Sequence, residues 1–312
     1  MVIAVHGRII IVHLRTAGRF FRVMFITGVV FFLAAAFDSK TILAHGVGES
    51  SAVRILVIGA TSRTADELIP QAIWRGHDVI AFARRPQRIR FATNEHLTVV
   101  KGDVYDKTTI EAALSGTGDE IVITLVGPRT EPGKEVPEMD LMSTGTTNII
   151  EAMRAKGNKR LIAASSTAVQ TVAKLGYTAD TPRPEGLNET NGLWYYFMRG
   201  PYNDMLKMEG IVRNSGLDFI IVRPGQMLVE PAYGNIKLAV DTETPKQPLI
   251  TYADFAAFIL DQIESNKYLG TTVGVYSDRK MEFGKNVDLA AEEAKRMESY
   301  RQLQMDLAAE SR

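Results

Sequence analysis

Residues 53–65 read VRILVIGATSRTA. Val53–Ala60 is rich in β-branched residues and ends at a glycine-containing turn, the pattern of a buried strand. Thr64–Gly76 follows, with Leu68, Ile69, Ala72 and Ile73 at helical spacing and a stop at Gly76. A strand that turns tightly into a helix presents unpaired backbone N–H groups and the positive end of a helix dipole. Such a corner suits a pyrophosphate. In the usual three-glycine fingerprint, Gly59 would allow the tight turn and Ala65 is a tolerated substitute at the third position. Ser62 stands where the second glycine lets the ligand approach. Its side chain either narrows that approach or offers a hydroxyl to a phosphate oxygen. Thr61 and Arg63 complete the turn; a turn that binds nothing is the alternative reading.

The alternation continues outward. His77–Ala83 reads as a second strand, Leu97–Val100 as a short third, and Lys107–Leu114 as a helix. Glu120–Val126 is a fourth strand, Leu141–Lys156 a helix closed by Gly157, and Arg160–Ser165 a fifth strand. Tyr202–Asn214 is a helix ended by Gly216, and Asp218–Val222 a sixth strand cut off by Pro224. Thr251–Ser265 is a helix and Thr272–Tyr276 a further strand. Repeated strand–helix–strand units predict an α/β fold: a doubly wound parallel sheet of the Rossmann kind, one domain over residues 53–283. Gln170–Gly200 and Glu230–Pro248 show little periodicity and read as long loops, from which a substrate region is built. Residues 284–312 place Leu289, Met297, Tyr300, Leu303 and Leu307 on an amphipathic helix, which packs on its own domain or docks a partner.

Composition narrows the function. The 312 residues are 46% apolar and 23% charged, ordinary globular usage that excludes a disordered chain, a collagen-like fibre and a multi-span membrane protein. Lys plus Arg number 36 and Asp plus Glu number 36, without the basic surplus of a general nucleic-acid binder. Cysteine is absent, which excludes disulfides, Cys-ligated zinc and thiol nucleophiles. The histidines at 6, 13, 45, 77 and 96 are scattered, and no metal site is expected.

Residues 1–50 differ from the rest. Arg8, Arg15, Arg19, Arg22 and Lys40 stand against only Asp38 and Glu49. The run VMFITGVVFFLAAAF, residues 23–37, carries no charge and leads into small residues, as an export signal does. It is shorter than the ~20 residues of a comfortable membrane span, though a tilted or thinned-bilayer anchor is open to it. An exported or membrane-anchored protein is expected, with membrane contact through residues 23–37; a mis-assigned start and a cytoplasmic protein is the alternative. This leader is set aside from the fold.

The end of the second strand decides the flavour of a dinucleotide. NAD sites place Asp or Glu there for the ribose hydroxyls, and NADP sites place Arg nearby for the 2′-phosphate. Here the residues are Phe82-Ala83-Arg84-Arg85, followed by Arg88 and Arg90. A guanidinium is planar and permanently charged, which suits phosphate. NADP(H) is favoured, with Arg84 and Arg63 as leading contacts and Arg85 next; a solvated basic loop is the alternative.

Further marks follow in order: Gly102-Asp103-Val104 after the third strand, Leu125-Val126-Gly127 closing the fourth, and Ala164-Ser165-Ser166 ending the fifth. Ser143-Thr144-Gly145-Thr146-Thr147-Asn148 opens the long helix, and Val222-Arg223-Pro224-Gly225 marks the sixth strand. With GATSRTA and FARRPQRI, these residues resemble the atypical short-chain dehydrogenase/reductases, in the NAD(P)H-binding, NmrA-like branch that includes biliverdin-IXβ/flavin reductase. The resemblance spans roughly residues 53–283. It implies a cofactor site formed by Gly59, Thr61, Ser62, Arg63, Arg84, Arg85, Asp103, Val104, Val126, Ser165 and Pro224. It further implies that Ser166 borders the nicotinamide and that Pro224 to Gln226 flank it, with Gln226 toward the substrate. Read alone, Asp103 is a turn residue and Ser165 and Ser166 are strand-end caps.

Most of the wider superfamily uses a Tyr-x-x-x-Lys pair, in which lysine lowers the tyrosine pKa for proton transfer. The matching positions here are Pro201 and Met205. Tyr233 with Lys237, and Tyr276 with Lys280, have the spacing but lie on other segments. Hydride transfer needs mainly a positioned nicotinamide, and an acceptor protonated by solvent can dispense with the tyrosine. Trp194-Tyr195-Tyr196-Phe197-Met198 would stack on a flat substrate or plug a loop, and Tyr202 is a reserve proton donor. Ser166 and Tyr202 are therefore the candidate catalytic residues, and Trp194, Tyr195 and Gln226 the candidate substrate contacts. The expected activity is an NADPH-dependent reduction of a flat aromatic or carbonyl small molecule. A non-catalytic NADP(H) sensor is the alternative, and a sugar-nucleotide epimerase or dehydratase ranks lowest because it also needs the tyrosine.

Overall fold

The computed structural model describes residues 2–5, 8–11, 52–90, 94–128, 134–187, 192–246 and 248–278. Two short strands, β1 (Val2–Val5) and β2 (Arg8–Ile11), pair antiparallel with Val2 opposite Ile11. They form a unit apart from the remainder and fall within the segment read as a leader. The apolar run at 23–37 and the expected helix at 287–310 lie outside the described residues. No helix among the described residues is long and apolar enough to cross a membrane.

In the second unit, β3 (Arg54–Ile58) shows why a doubly wound sheet forms. Successive side chains point to opposite faces, and on β3 both faces are apolar. Ile55 and Val57 pack into one buried cluster, Leu56 and Ile58 into the other. Such a strand is stable only with helices on both sides. Helix α1 (Arg63–Trp74) covers the first face. It leads to β4 (Asp78–Ala83) and β5 (Leu97–Lys101), joined by a 3-10 turn at Pro86–Arg88. Then come α2 (Lys107–Ala113), β6 (Ile121–Thr124) and α3 (Leu141–Lys156). Helix α3 ends at Gly157, whose φ of 82° is left-handed and favours glycine. Next are β7 (Arg160–Ala164), α4 (Ala168–Leu175), α5 (Leu193–Phe197) and α6 (Arg199–Arg213). The chain continues through β8 (Asp218–Pro224), β9 (Gln226–Leu228), β10 (Ile236–Val240) and β11 (Leu249–Thr251). It closes with α7 (Tyr252–Asp261) and β12 (Thr271–Ser277).

The sheet order is β5-β4-β3-β6-β7-β8-β12-β11-β9, with β10 paired to β12. From β5 to β12 through β8 every pairing is parallel; β10 and β11 meet β12 antiparallel. The strand order reverses between β3 and β6, the switch point where open α/β sheets bind ligands.

Three expectations change. Gln170–Gly200 is not an uninterrupted loop, because Val169 and Val172 bury one side of the short helix α4 and five consecutive apolar residues form α5. Glu230–Pro248 contains β10, whose pairing with β12 closes the sheet. Pro224 ends β8 from within, opposite Val275, where a missing N–H is tolerated.

Helix α3 starts in an unusual way. Asp140 at its N-cap makes no cap bond to the backbone. Instead Asp204 of α6, which is buried, accepts from the N–H groups of Met142 (2.7 Å) and Ser143 (3.2 Å). Capping from a neighbouring helix satisfies orphan donors and locks α3 to α6. Asp204→Ala leaves the buried Met142 donor and the partly buried Ser143 donor unmet, and is expected to destabilise the fold by about 3 kcal/mol. Urea denaturation checks this; a change below about 1 kcal/mol would contradict the capping role.

Candidate functional site

The parallel register brings one end of every central strand to the same edge. Ile58 lies opposite Phe82 and Thr124, Ala83 opposite Lys101, Thr124 opposite Ala163, and Ala164 opposite Val222. The residues that follow these positions are Gly59, Arg84, Gly102, Leu125, Ser165 and Arg223. The motifs quoted from the sequence are thus gathered at the carboxyl edge of the sheet around the switch point.

At the turn after β3, the N–H groups of Gly59 and Ala60 both donate to Phe82 O at 3.2 Å. Gly59 has φ of +90°, and a Cβ there would stand 2.9 Å from the backbone of Leu125. The turn is pressed between β4 and β6, and only glycine fits. Ser62 has φ of −80° and caps α1, its hydroxyl oxygen accepting from Ala65 N–H at 3.1 Å. The departure from the glycine fingerprint therefore brings no backbone strain, and the hydroxyl proton stays available to an outside acceptor. Among the described residues, no protein acceptor engages the N–H groups of Thr61, Arg63 or Thr64. They open at the positive end of the α1 dipole.

Arg63, Arg84 and Arg85 are exposed, and no carboxylate among the described residues pairs with them. Arg90 differs: it lies 3.7 Å from Asp66. Asp103 is held by its turn, its carboxylate accepting from Tyr105 N–H at 3.1 Å and its own N–H donating to Thr109 Oγ1 at 3.1 Å. Val104 is buried against Gly145, and its carbonyl accepts from Asn148 Nδ2 at 2.8 Å. Val126 is half-buried beside the turn that holds Gly59.

The candidate chemistry lies where α5 and α6 meet the end of β7. The Trp194 indole N–H of α5 donates to the Tyr202 hydroxyl of α6 at 3.1 Å, and Ser166, just past β7, is near enough to act on the Tyr202 phenol. Ser166 Oγ in turn accepts from Ala168 N–H at 3.2 Å. Tyr202 is buried, and burial pushes its pKa up to about 12, with the Trp194 bond and nearby Ser166 acting the other way. One helical turn beyond stands Leu206, not a lysine that would lower it. Trp194 is 43% exposed, so much of its side chain remains accessible. Tyr195 packs partly against the core. Gln226 is exposed, and its N–H donates to Pro248 O at 2.6 Å. Elsewhere, Tyr233 hydrogen-bonds Glu230 while Lys237 sits 3.3 Å from Asp278, so these two do not act on each other. Lys280 lies outside the described residues.

Beneath this edge is a network that sequence reasoning missed. Glu209 of α6 is fully buried. Its Oε1 accepts from Ser165 Oγ (2.6 Å) and Arg223 Nε (2.7 Å); its Oε2 accepts from Arg223 Nη2 (2.5 Å) and Arg213 Nη2 (2.8 Å). Burial works to raise the Glu209 pKa, but Arg223 above all, then Ser165 and Arg213, hold it below the usual carboxylate value. The carboxylate thus stays ionised despite burial. The available signal was positional: Glu209 is seven residues from Tyr202, on one helix face with Met205.

Residues 59–266 match the family described as NAD(P)H-binding. This chain belongs to that family. It is 28% identical over 186 residues to At2g34460, an uncharacterized chloroplastic protein of Arabidopsis thaliana, covering 59% of this chain and 62% of that one. It is 27% identical over 180 residues to the 3-diazoavenalumate denitrifying reductase of a Streptomyces species, covering 56% of each. The chain therefore spans less than two thirds of the length of these curated relatives. Among solved structures it is similar to ChuY, an anaerobillin reductase of Escherichia coli O157:H7, with a TM-score of 0.56 and 18% identity over 73% of this chain and all of that one. A Veillonella parvula short-chain dehydrogenase/reductase in complex with NADP gives a TM-score of 0.55 and 16% identity, covering 72% and 95%. These likenesses show the Rossmann fold. The resemblance read from GATSRTA and FARRPQRI is borne out at the level of the NAD(P)H-binding family, and with it a nicotinamide dinucleotide as cofactor.

The turn fits that cofactor on its own terms. Three N–H groups and three guanidinium groups without a protein partner among the described residues, together with the Ser62 hydroxyl, form a donor set for phosphates. No His/Cys/Asp/Glu group suited to a metal ion occurs among the described residues.

Proposed function

We propose that this NAD(P)H-binding protein is an NADPH-dependent reductase of a flat aromatic or carbonyl acceptor of flavin, quinone or tetrapyrrole type, working without a Tyr-x-x-x-Lys pair. The observation that carries the reading is the pairing of Tyr202 on α6 with half-exposed Trp194 on α5, beside Ser166, which follows β7 on the same sheet edge as the phosphate turn. Arg63, Arg84 and Arg85 would hold the 2′-phosphate, and the N–H groups of Thr61, Arg63 and Thr64 the pyrophosphate. When bound, the reduced nicotinamide supplies the hydride. The accessible indole of Trp194 and the ring of Tyr195 orient a flat acceptor by stacking. Tyr202 holds its proton and delivers it to a carbonyl oxygen, where a new O–H bond forms as the phenolic one breaks. Ser166 then relays a proton from solvent back to the phenol. The tetrapyrrole option draws support from ChuY, an anaerobillin reductase similar in fold.

A raised rather than lowered phenol pKa, with Leu206 in place of a lysine, favours a second reading, a nucleotide sensor without turnover. NADPH consumption measured over a flavin, a quinone, a tetrapyrrole and a carbonyl series separates the two. Turnover with one class supports the reductase; NADPH binding with no turnover on any class overturns it in favour of the sensor.

A further inference from the structure

We propose that Glu209 is the positioning residue of the active edge, holding in register the three elements that bear its chemical groups. This rests on the reductase reading for the reaction, while its geometry stands apart from it. Glu209 sits two turns after Tyr202 on α6. Ser165, which donates to its Oε1, immediately precedes Ser166 at the end of β7. Arg223, which grips both carboxylate oxygens, immediately precedes Pro224 at the end of β8. Backbone bonds join the two strand ends: Ser165 N–H donates to Val222 O at 2.8 Å and Thr167 N–H to Pro224 O at 3.1 Å.

One carboxylate therefore ties α6 to both strand ends. An apolar helix face can slide or roll on a sheet at small cost, because dispersion contacts have no direction. A two-point carboxylate–guanidinium contact fixes rotation and translation together. Arg213 adds a second anchor, since its guanidinium also donates to Thr272 Oγ1 of β12 at 3.1 Å. A buried ion pair adds little net stability over an apolar contact of similar shape, so its presence here points to placement. The placed object is the Tyr202 hydroxyl relative to Ser166 and Trp194.

The test uses the full chain in a Trp74→Phe background. The chain has two tryptophans, so emission then reports Trp194 alone. Glu209→Gln keeps an acceptor for Ser165 but leaves two guanidinium groups without a counter-charge, and Ser165→Ala removes one bond only. For Glu209→Gln the expected result is a kcat loss of roughly 30-fold, about the scale of a misplaced reacting group, with coenzyme KM changed by less than about threefold and a shifted Trp194 emission. Glu209→Asp should recover part of kcat. Ser165→Ala should move kcat and emission in the same direction by a smaller step. Unchanged emission and unchanged kcat per folded molecule in both Glu209→Gln and Ser165→Ala would overturn the proposal, whatever happens to the melting temperature. Should Glu209→Gln fail to fold, Ser165→Ala alone decides on the same two readouts. Should the native chain reduce no acceptor, the reductase reading fails and the emission shift still decides the positioning role.

Discussion

Gly59→Val is expected to lower affinity for reduced nicotinamide dinucleotide by about 100-fold, equivalent to about 2.8 kcal/mol. Two costs combine. The residue sits at φ of +90°, a conformation a β-branched side chain avoids, and its Cβ would meet the Leu125 carbonyl carbon and oxygen at 2.9 Å. Backbone on both sides cannot retreat, because Gly59 and Ala60 are hydrogen-bonded to Phe82 O on β4. The turn must move outward, and the N–H groups of Thr61, Arg63 and Thr64 move with it. Titration of coenzyme by fluorescence measures the loss, with circular dichroism to establish that the variant is folded. A folded variant that binds as the native chain does would place the dinucleotide elsewhere.

Tyr202→Phe is expected to reduce kcat for a carbonyl acceptor by about 100-fold, within the usual range for a lost general acid, and for a flavin or quinone by less than about threefold. The split arises because flavin and quinone products take their proton from water. The pH dependence follows from the direction of the pKa shift. Burial raises the phenol to about 12, so the group is protonated throughout the neutral range. A proton donor in that state gives a rate in the reductive direction that is flat near neutrality and falls only as pH approaches 12. The reverse oxidation needs the phenolate and is correspondingly slow. Steady-state kinetics over both acceptor classes check the split; equal losses for all acceptors would mean that Tyr202 acts only by packing. The Glu209 carboxylate carries a separate pH signature. Its folded pKa lies below its ordinary 4.5, so its contribution to stability is full above 4.5 and is lost as pH falls through the lower folded value.

What the sequence revealed and what it hid have physical reasons. Helix Leu141–Lys156 and its glycine stop were legible because the signal is local: helical spacing, then a residue able to take a left-handed φ. Strands Arg54–Ile58 and Ile121–Thr124 were legible because burial on both faces leaves nearly uninterrupted β-branched runs. Strand β10 was hidden because it alternates, exposing Lys237, and becomes a strand only through pairing with Val273–Ser277. Helix α5 was hidden because Trp194, Tyr195, Tyr196 and Phe197 have poor intrinsic helix preference and are held by tertiary contacts. Gly59 and Arg84 could be picked out from the sequence because each directly follows a strand end, and Ser166 through the resemblance. Glu209, Asp204 and the pairing of Arg223 could not. A charge within an apolar pattern reads as a solvent-facing residue, and only the fold brings positions 165, 209, 213 and 223 within bonding distance.

Isothermal calorimetry of NADPH and NADH against folded, ligand-stripped protein tests the central claim most directly. Saturable heat with one nucleotide per chain is the predicted result, NADPH binding about tenfold tighter than NADH through Arg63, Arg84 and Arg85. No heat of association with either coenzyme would contradict it.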